Sequence, residues 1–212
     1  MKITVFGATG GVGQEIVKQG LVRGNAITAV VRDASRLPVT DPALRVVTVP
    51  ALDEPSTLIS AIRGSEAVLS AVGPHGRKDG PVAAPSTRAI VAAMDVCSTR
   101  RFVGVSAAPV GPTPAGEGFL NRWVLTPIVK AVLRNVYADL GEMEVLLQNG
   151  DIDWTVVRPP RLVDKPLSGE YRTVVGANVA RGSRISRADV AHLMLDTLTV
   201  RETIRQAVGV AY

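Results

Sequence analysis

The N-terminal segment is the feature of this chain that most constrains its fold. An apolar stretch, Ile3–Phe6, runs directly into the glycine-rich sequence GATGGVG at residues 7–13. Apolar or small residues then recur at the spacing of one helix face, at Val12, Ile16 and Gly20. A strand, a glycine-rich turn and a helix in this order predict a dinucleotide-binding unit.

The glycines are spaced G-x-x-G-x-x-G, and each has a separate physical role. Gly7 permits a tight turn, Gly10 lets a pyrophosphate approach the backbone, and Gly13 lets the helix pack close to the sheet. Phosphate oxygens would meet the free N–H groups at the N-terminus of the helix. A plain tight turn would also tolerate these glycines, but their place between a first strand and an amphipathic helix favours the cofactor interpretation.

Further apolar runs predict buried strands of a parallel sheet; they are Ala26–Val31, Val46–Val49, Ala67–Ala71, Phe102–Val105 and Trp154–Val157. Helical patterns separate these runs. One follows Pro55, two cover about Ser86–Cys97 and Asp139–Gln148, and the last begins with an S-x-x-D capping box at Ser186 and Asp189. The alternation predicts a Rossmann-type α/β fold with a doubly wound parallel sheet, in a single domain over residues 1–212.

Composition narrows the range of partners. The chain has 212 residues, 24 Lys+Arg against 19 Asp+Glu, one cysteine and two histidines. Its cations are scattered, so we expect small anionic ligands and no nucleic acid. So few cysteines and histidines predict no metal site. No apolar run is long enough to span a membrane or to form a secretory signal, so we expect a cytoplasmic protein.

The residues after the second strand indicate which dinucleotide binds. An acidic side chain at this point would take a ribose 2′-hydroxyl, whereas an arginine would take a 2′-phosphate. Arg32 comes first and Arg36 follows, so the sequence favours NADPH. In the alternative interpretation, both arginines are solvated surface residues and Asp33 binds the ribose.

Two stretches rich in proline and glycine follow the fifth and sixth strands. We call them the strand-five loop, residues 107–118, and the strand-six segment, residues 159–182. Ligands of open α/β sheets bind beyond the carboxyl ends of the strands. The two stretches are therefore expected to form the pocket for a substrate that accepts electrons.

Three segments besides GATGGVG carry a resemblance to a known family: VRDASRLP, DWTVVRPPRLVDKPLSGEYR and ISRADV. The chain resembles the atypical short-chain dehydrogenase/reductases. More narrowly, it resembles the NmrA-like, single-domain NAD(P)H-binding proteins that include flavin reductase/biliverdin reductase B. The resemblance implies a strand order of 3-2-1-4-5-6, NADP(H) along the carboxyl edge of the sheet, and reduction of flavins, tetrapyrroles or quinone-like acceptors.

The resemblance also implies the cofactor-binding residues. The pyrophosphate would lie on Gly7, Thr9, Gly10, Gly11, Val12 and Gly13. The 2′-phosphate would lie on Arg32 and Arg36, and the ribose and nicotinamide side on Ala71, Val72 and Gly73. Ala51 replaces the family's acidic residue near the adenine, which leaves Leu52 and the backbone for that contact. The nicotinamide would lie beside Ser106, Pro159 and Pro160.

The tyrosine–lysine pair of ordinary short-chain dehydrogenases is missing from the sequence. Tyr137 is followed four positions later by Gly141, and Tyr171 by Val175. Reduction of a conjugated acceptor does not need such a pair, because the acceptor delocalises charge and takes its proton from water. Tyr137 is then expected to be a packing residue.

The candidate catalytic residues are Ser106 and Arg161. Ser106 would bind the nicotinamide carboxamide or an acceptor carbonyl, or it would simply cap a turn. Arg161 would pair with an anionic acceptor, or it would form a salt bridge to Asp164. His75 lies in a loop after the fourth strand and is a weaker candidate for ligand contact.

These observations predict an NADPH-dependent reductase of a flavin, quinone or similar small acceptor. The alternative is a non-catalytic NADP(H)-binding redox sensor, which would also lack the tyrosine–lysine pair. A nucleotide-sugar epimerase would need a larger substrate domain than the residues after Pro160 provide.

Overall fold

The computed structural model describes residues 1–74, 80–114 and 133–212. In these residues the strands are β1 (Lys2–Phe6), β2 (Ala26–Val31), β3 (Leu44–Thr48), β4 (Ala67–Ser70), β5 (Arg101–Val105), β6 (Asp153–Arg158), β7 (Arg161–Val163), β8 (Arg172–Val175), β9 (Arg184–Ser186) and β10 (Gln206–Ala211). The α-helices are α1 (Gly11–Val22), α2 (Pro55–Ile62), α3 (Ala83–Val96), α4 (Arg134–Asn149) and α5 (Arg187–Asp196). None of these helices is long and apolar enough to cross a membrane.

The main sheet has the strand order β3-β2-β1-β4-β5-β6-β10-β8. Strands β1 to β6 pair in parallel, which confirms the predicted Rossmann-type order 3-2-1-4-5-6. Beyond β6, β10 adds in parallel and β8 pairs with β10 in antiparallel orientation. The sequence analysis missed β10, and it missed the small parallel sheet of β7 and β9.

The sheet buries side chains on both faces, as a doubly wound fold requires. On one face, Val5 packs in a cluster with Ile16 of α1 and Met194 of α5. On the other, Phe6 packs in a cluster with Ile90 of α3 and further residues of α2 and α4. Strand β3 departs from the prediction of a strand buried on both faces, because it lies at the edge of the sheet and is mostly exposed.

Side-chain caps fix where two helices begin. The Ser186 Oγ accepts a hydrogen bond of 2.9 Å from the Asp189 N–H, as the capping box predicts. Helix α3 begins before the predicted Ser86, since the Asp139 carboxylate of α4 accepts hydrogen bonds of 2.8–2.9 Å from the N–H groups of residues 82–84. No local pattern near residue 83 indicates this cap, because its acceptor comes from another helix.

Candidate functional site

The glycine-rich turn lies at the carboxyl end of β1, at the point where the strand order reverses. Gly7 has a φ of +72°, which favours glycine. A Cβ atom on Gly7 would also lie 2.6 Å from the backbone carbonyl of Ala71, so the turn packs directly on the end of β4. The Gly10 N–H closes the turn by donating a 3.0 Å hydrogen bond to the Gly7 carbonyl oxygen.

The other two glycines differ in the space around them. A Cβ atom on Gly13 would lie only 2.0 Å from the Gly7 oxygen, so α1 passes very close to the turn. At Gly10, the nearest atom to such a Cβ would be the Gly7 oxygen at an ordinary 3.4 Å. The fold therefore needs a glycine at positions 7 and 13, while the space beside Gly10 is open.

The N-terminus of α1 fits an anionic group. Among the described residues, no side chain caps its first N–H groups, and its first turn contains no acidic residue. Unpaired N–H groups at a helix start carry partial positive charge and favour phosphate oxygens. The open cradle beside Gly10 and these uncapped donors match the pyrophosphate of a dinucleotide.

Arg32 and Arg36 lie just past the end of β2, and both side chains are exposed. Neither forms a salt bridge within the described residues. Asp33, the alternative ribose ligand, is engaged locally: its Oδ1 accepts hydrogen bonds from the Oγ and N–H of Ser35 at 2.7 and 3.0 Å. These bonds from Ser35 lower the pKa of Asp33 below its ordinary value.

Other predicted cofactor-binding residues surround the same edge of the sheet. The Ala71 N–H donates a 3.0 Å hydrogen bond to the carbonyl of Phe6, which continues the pairing of β4 with β1. Val72 is buried, and Leu52 is half-buried against the second core cluster. The fold thus keeps the segment after β4 against the glycine-rich turn.

Ser106 directly follows β5 and is 5% exposed. Its N–H donates a 2.8 Å hydrogen bond to the Val157 carbonyl, which fixes it at the end of β6. Its Oγ has no hydrogen-bond partner in the part of the chain that is described. The hydroxyl does not cap a turn, so that alternative for Ser106 is wrong.

The structure brings the strand-five loop and the strand-six segment together. The Ala108 N–H donates a 2.8 Å hydrogen bond to the Pro159 carbonyl. The Asn178 Nδ2 donates to the carbonyls of Ala108 and Pro112 at 2.7 and 3.0 Å. Residues 115–118 of the strand-five loop, and the candidate His75, lie outside the described residues.

A buried ion pair supports this junction. Arg158, the last residue of β6, donates through Nε to Glu144 Oε1 at 3.0 Å and through Nη2 to the second carboxylate oxygen. A Cβ atom on Gly111 would lie 2.4 Å from Arg158 Nη1, so the strand-five loop rests on this guanidinium. The sequence analysis missed the pair, because its two charges lie on different elements.

Arg161 begins β7 and is exposed. The predicted alternative, a salt bridge from Arg161 to Asp164, is wrong. Asp164 Oδ1 pairs instead with Nη1 of Arg187 at 2.6 Å. Arg161 lies opposite Arg184 in the register of β7 and β9, so two positive residues are neighbours at the rim of the site.

Asp189 fastens the strand-six segment to the start of α5. Its carboxylate accepts hydrogen bonds of 2.5–3.0 Å from the N–H and Oγ of Ser168, the Gly169 N–H, the Ser186 Oγ and the Tyr212 hydroxyl. Burial by itself raises the pKa of Asp189, but these hydrogen bonds outweigh it and lower the pKa to about 2. The capping box indicated Asp189 in the sequence, but not these distant donors.

Tyr137 and Tyr171 are poor proton donors in their environments. Burial raises the pKa of Tyr137, which packs against the second core cluster. Burial and the nearby Asp196 and Asp189 raise the pKa of Tyr171 to about 12. The Tyr171 hydroxyl lies 2.7 Å from His192 Nδ1, which places His192 in a structural contact.

Comparison with known sequences identifies relatives over nearly the whole chain. A family model described as NAD(P)H-binding matches residues 7–201. An uncharacterised chloroplastic protein of Arabidopsis thaliana is 30% identical over 218 residues, which cover 95% of this chain and 73% of that protein. A 3-diazoavenalumate denitrifying reductase of Streptomyces is 35% identical over 174 residues, which cover 74% of this chain and 55% of that protein.

Solved structures share the fold. A Burkholderia pseudomallei protein described as exported has a TM-score of 0.81 and 25% identity over all of both chains. A wide-type short-chain dehydrogenase/reductase of Veillonella parvula, solved in complex with NADP, has a TM-score of 0.77 and 21% identity over 100% of this chain and 94% of that one. The anaerobilin reductase ChuY of Escherichia coli has a TM-score of 0.79 and 19% identity over 100% and 97%.

The family match begins at the first glycine of the turn and ends beyond α5, so it includes the turn, all five helices and strands β2 to β9. The expected membership of an NAD(P)H-binding family is confirmed. This chain belongs to the NAD(P)H-binding family, and its cofactor is NAD(P)H.

Proposed function

We propose that this protein is an NADPH-dependent reductase that transfers a hydride to a flavin, a quinone or a similar conjugated acceptor. The observation that carries the proposal is the buried Ser106 hydroxyl, which has no hydrogen-bond partner among the described residues. Burying an unpaired hydroxyl is costly, so a site that keeps one open is suited to a ligand that completes it. The nicotinamide carboxamide or an acceptor carbonyl would supply that hydrogen bond.

Each part of the dinucleotide has a candidate position along the carboxyl edge. The turn at residues 7–13 would hold the pyrophosphate, and Arg32 and Arg36 would hold the 2′-phosphate. Leu52 would contact the adenine, residues 71–73 the ribose, and residues 159–160 the nicotinamide. NADPH supplies the hydride when it is bound. The contribution of the protein is to align the nicotinamide with the acceptor and to exclude water.

The proton chemistry favours a conjugated acceptor. The sequence has no lysine four residues after a tyrosine, and burial raises the pKa of both Tyr137 and Tyr171. A general acid would need a pKa closer to the working pH. An acceptor that delocalises the added charge and takes its proton from water needs no such side chain.

The acceptor would lie between the strand-five loop and the strand-six segment. The exposed, positively charged rim at Arg161 and Arg184 favours acceptors that carry a phosphate or a carboxylate. Two proteins support the proposal that this chain catalyses a reduction. The Streptomyces relative is a reductase, and the anaerobilin reductase has the same fold. The protein would act on a small molecule.

The direct test is anaerobic oxidation of NADPH with FMN or with a neutral quinone, followed at the absorbance of the nicotinamide. We expect turnover by the native protein and at least a tenfold slower rate for Ser106→Ala, because the hydroxyl orients the reacting groups. The matched control is Ser86→Ala, which changes a buried serine within α3. Binding of NADPH without any turnover would instead support the redox sensor.

A further inference from the structure

Arg187 reaches the glycine-rich turn from the opposite end of the chain. It is the first residue of α5, and its side chain crosses the first residue of α1. A Cβ atom on Gly11 would lie 2.5 Å from Arg187 Cδ and 2.8 Å from Nε. Gly11 is not one of the three glycines of the G-x-x-G-x-x-G spacing. A glycine at this position leaves room for the side chain of Arg187.

The partner of this guanidinium is weakly held. Arg187 Nη1 lies 2.6 Å from Asp164 Oδ1, but the Asp164 side chain is 89% exposed and that of Arg187 only 31%. Exposed ion pairs of this kind contribute little, because water solvates the free carboxylate almost as well. An anion that binds the guanidinium more tightly could therefore replace Asp164 with little loss of free energy.

We propose that Arg187 is a positioning residue for the dinucleotide pyrophosphate, and that it exchanges Asp164 for a phosphate oxygen when the cofactor binds. The inference rests on the proposed placement of the pyrophosphate at the glycine-rich turn. A guanidinium offers several donors in a fixed plane, which suits phosphate better than a single carboxylate oxygen. Asp164 belongs to the strand-six segment, so the exchange links cofactor binding to the position of that segment.

The anchoring of α5 makes this exchange local. Ser186 and Asp189, on either side of Arg187, are held by the buried hydrogen bonds that also reach Tyr212. The helix start therefore stays fixed while the side chain of Arg187 changes its partner. The Asp164 side chain is 89% exposed, so water would solvate its carboxylate once Arg187 has left it.

The test measures NADPH affinity by fluorescence titration. Arg187→Gln should weaken binding about tenfold, and Asp164→Asn should tighten it about threefold because the competing carboxylate is gone. The double variant should bind as weakly as Arg187→Gln alone, since Asp164 competes only through Arg187. Unchanged affinity in folded Arg187→Gln, or no tightening in Asp164→Asn, would overturn the exchange.

A second ligand distinguishes the loss of a pyrophosphate contact from a general disturbance of the binding site. Adenosine 2′-monophosphate lacks the pyrophosphate, so Arg187→Gln should bind it as the native protein does. An equal loss for both ligands would contradict the proposal. Arg88→Gln is the matched control, because it removes an exposed ion pair to Glu142 on α3 and α4.

The same titration with Gly10→Val tests the placement of the pyrophosphate itself. Loss of NADPH binding in Gly10→Val together with unchanged binding in Arg187→Gln would reject only the role of Arg187. Native affinity in Gly10→Val would reject the placement on which both proposals rest.

Discussion

Ser106 follows β5, Arg32 and Arg36 follow β2, and the three residues have one property in common. Within the described residues, the Ser106 hydroxyl makes no hydrogen bond and the two arginines make no salt bridge. Unused donors at one edge of a parallel sheet are the expected property of a binding site for an anionic ligand. The buried carboxylates of Asp139 and Asp189, by contrast, accept hydrogen bonds that hold the fold.

The first prediction concerns dinucleotide preference. The protein should bind NADPH at least about tenfold more tightly than NADH, because charge-assisted contacts to a 2′-phosphate contribute roughly 1.5–3 kcal/mol each. Arg32→Ala should remove most of this preference in a fluorescence titration, whereas Arg63→Ala at the far end of α2 should not. Equal affinity of the native protein for the two dinucleotides would make Asp33 the better candidate for the ribose contact.

A second prediction concerns Tyr137. Tyr137→Phe should change turnover less than about threefold, because a positioned proton donor is typically worth 10²–10⁴-fold and this side chain is only a packing residue. Steady-state rates with a flavin or a quinone measure the effect. A hundredfold loss would mean that Tyr137 is a general acid and that the proposed chemistry is wrong.

At the scale of elements, the first strand, turn and helix could be predicted because their pattern is local. Gly7 needs a positive φ, and Val12, Ile16 and Gly20 lie on the buried face of α1 as the spacing indicates. Strands β7, β9 and β10 could not be predicted in the same way. The three-residue strands β7 and β9 pair only because distant segments meet, and β10 pairs with β6 across the chain.

The candidate site was likewise predictable only where its residues follow local sequence patterns. Ser106 and the glycines follow strands that local patterns reveal. The contact of Arg187 with Gly11 and the hydrogen bonds from Ser168 to Asp189 join residues that are far apart in sequence. Periodicity gives no information about such contacts, so only the structure shows that α5 meets the glycine-rich turn and holds the strand-six segment.

Substitutions at two glycines of the turn should have different effects, one on NADPH binding and the other on stability. Gly10→Val should fold normally but lose NADPH affinity, because its backbone is extended and a side chain would enter the open cradle. Gly13→Ala should lower the free energy of unfolding by at least about 2 kcal/mol, because its methyl group would overlap the Gly7 oxygen. Urea unfolding and NADPH titration of both variants measure the two effects. Normal stability in Gly13→Ala would contradict the close approach of α1 to the turn.

Asp189 should determine how firmly the strand-six segment is attached. Asp189→Asn should lower the free energy of unfolding by about 2–3 kcal/mol at pH 7, because an amide cannot accept all of the hydrogen bonds that the carboxylate accepts. The matched control is Asp95→Asn on the exposed side of α3.

The pH dependence of this effect follows from the pKa. Folding lowers the pKa of Asp189 from 3.8 to about 2. A lowered pKa stabilises the folded state above the unfolded value, and that stabilisation is lost as the pH falls from 3.8 towards 2. The difference in the free energy of unfolding between the native protein and Asp189→Asn should therefore shrink over this pH range. A difference that stays constant down to pH 2 would contradict the assignment.

For the whole molecule, the doubly wound sheet gives the site its shape. The glycine-rich turn, the segment after β4, Ser106 and the strand-six segment meet at one edge because parallel strands all end there. Strand β10 extends the sheet beyond β6, and β8, which belongs to the strand-six segment, pairs with β10. A cytoplasmic location remains a prediction from the sequence.

The central claim is that a hydride passes from NADPH to an acceptor within this site. It is tested most directly by oxidation of NADPH that carries deuterium on one face or the other of the nicotinamide C4, with FMN or a quinone as acceptor. A fixed nicotinamide predicts a primary isotope effect with one label and none with the other. Tight NADPH binding without oxidation by any conjugated acceptor would contradict the claim and favour the redox sensor.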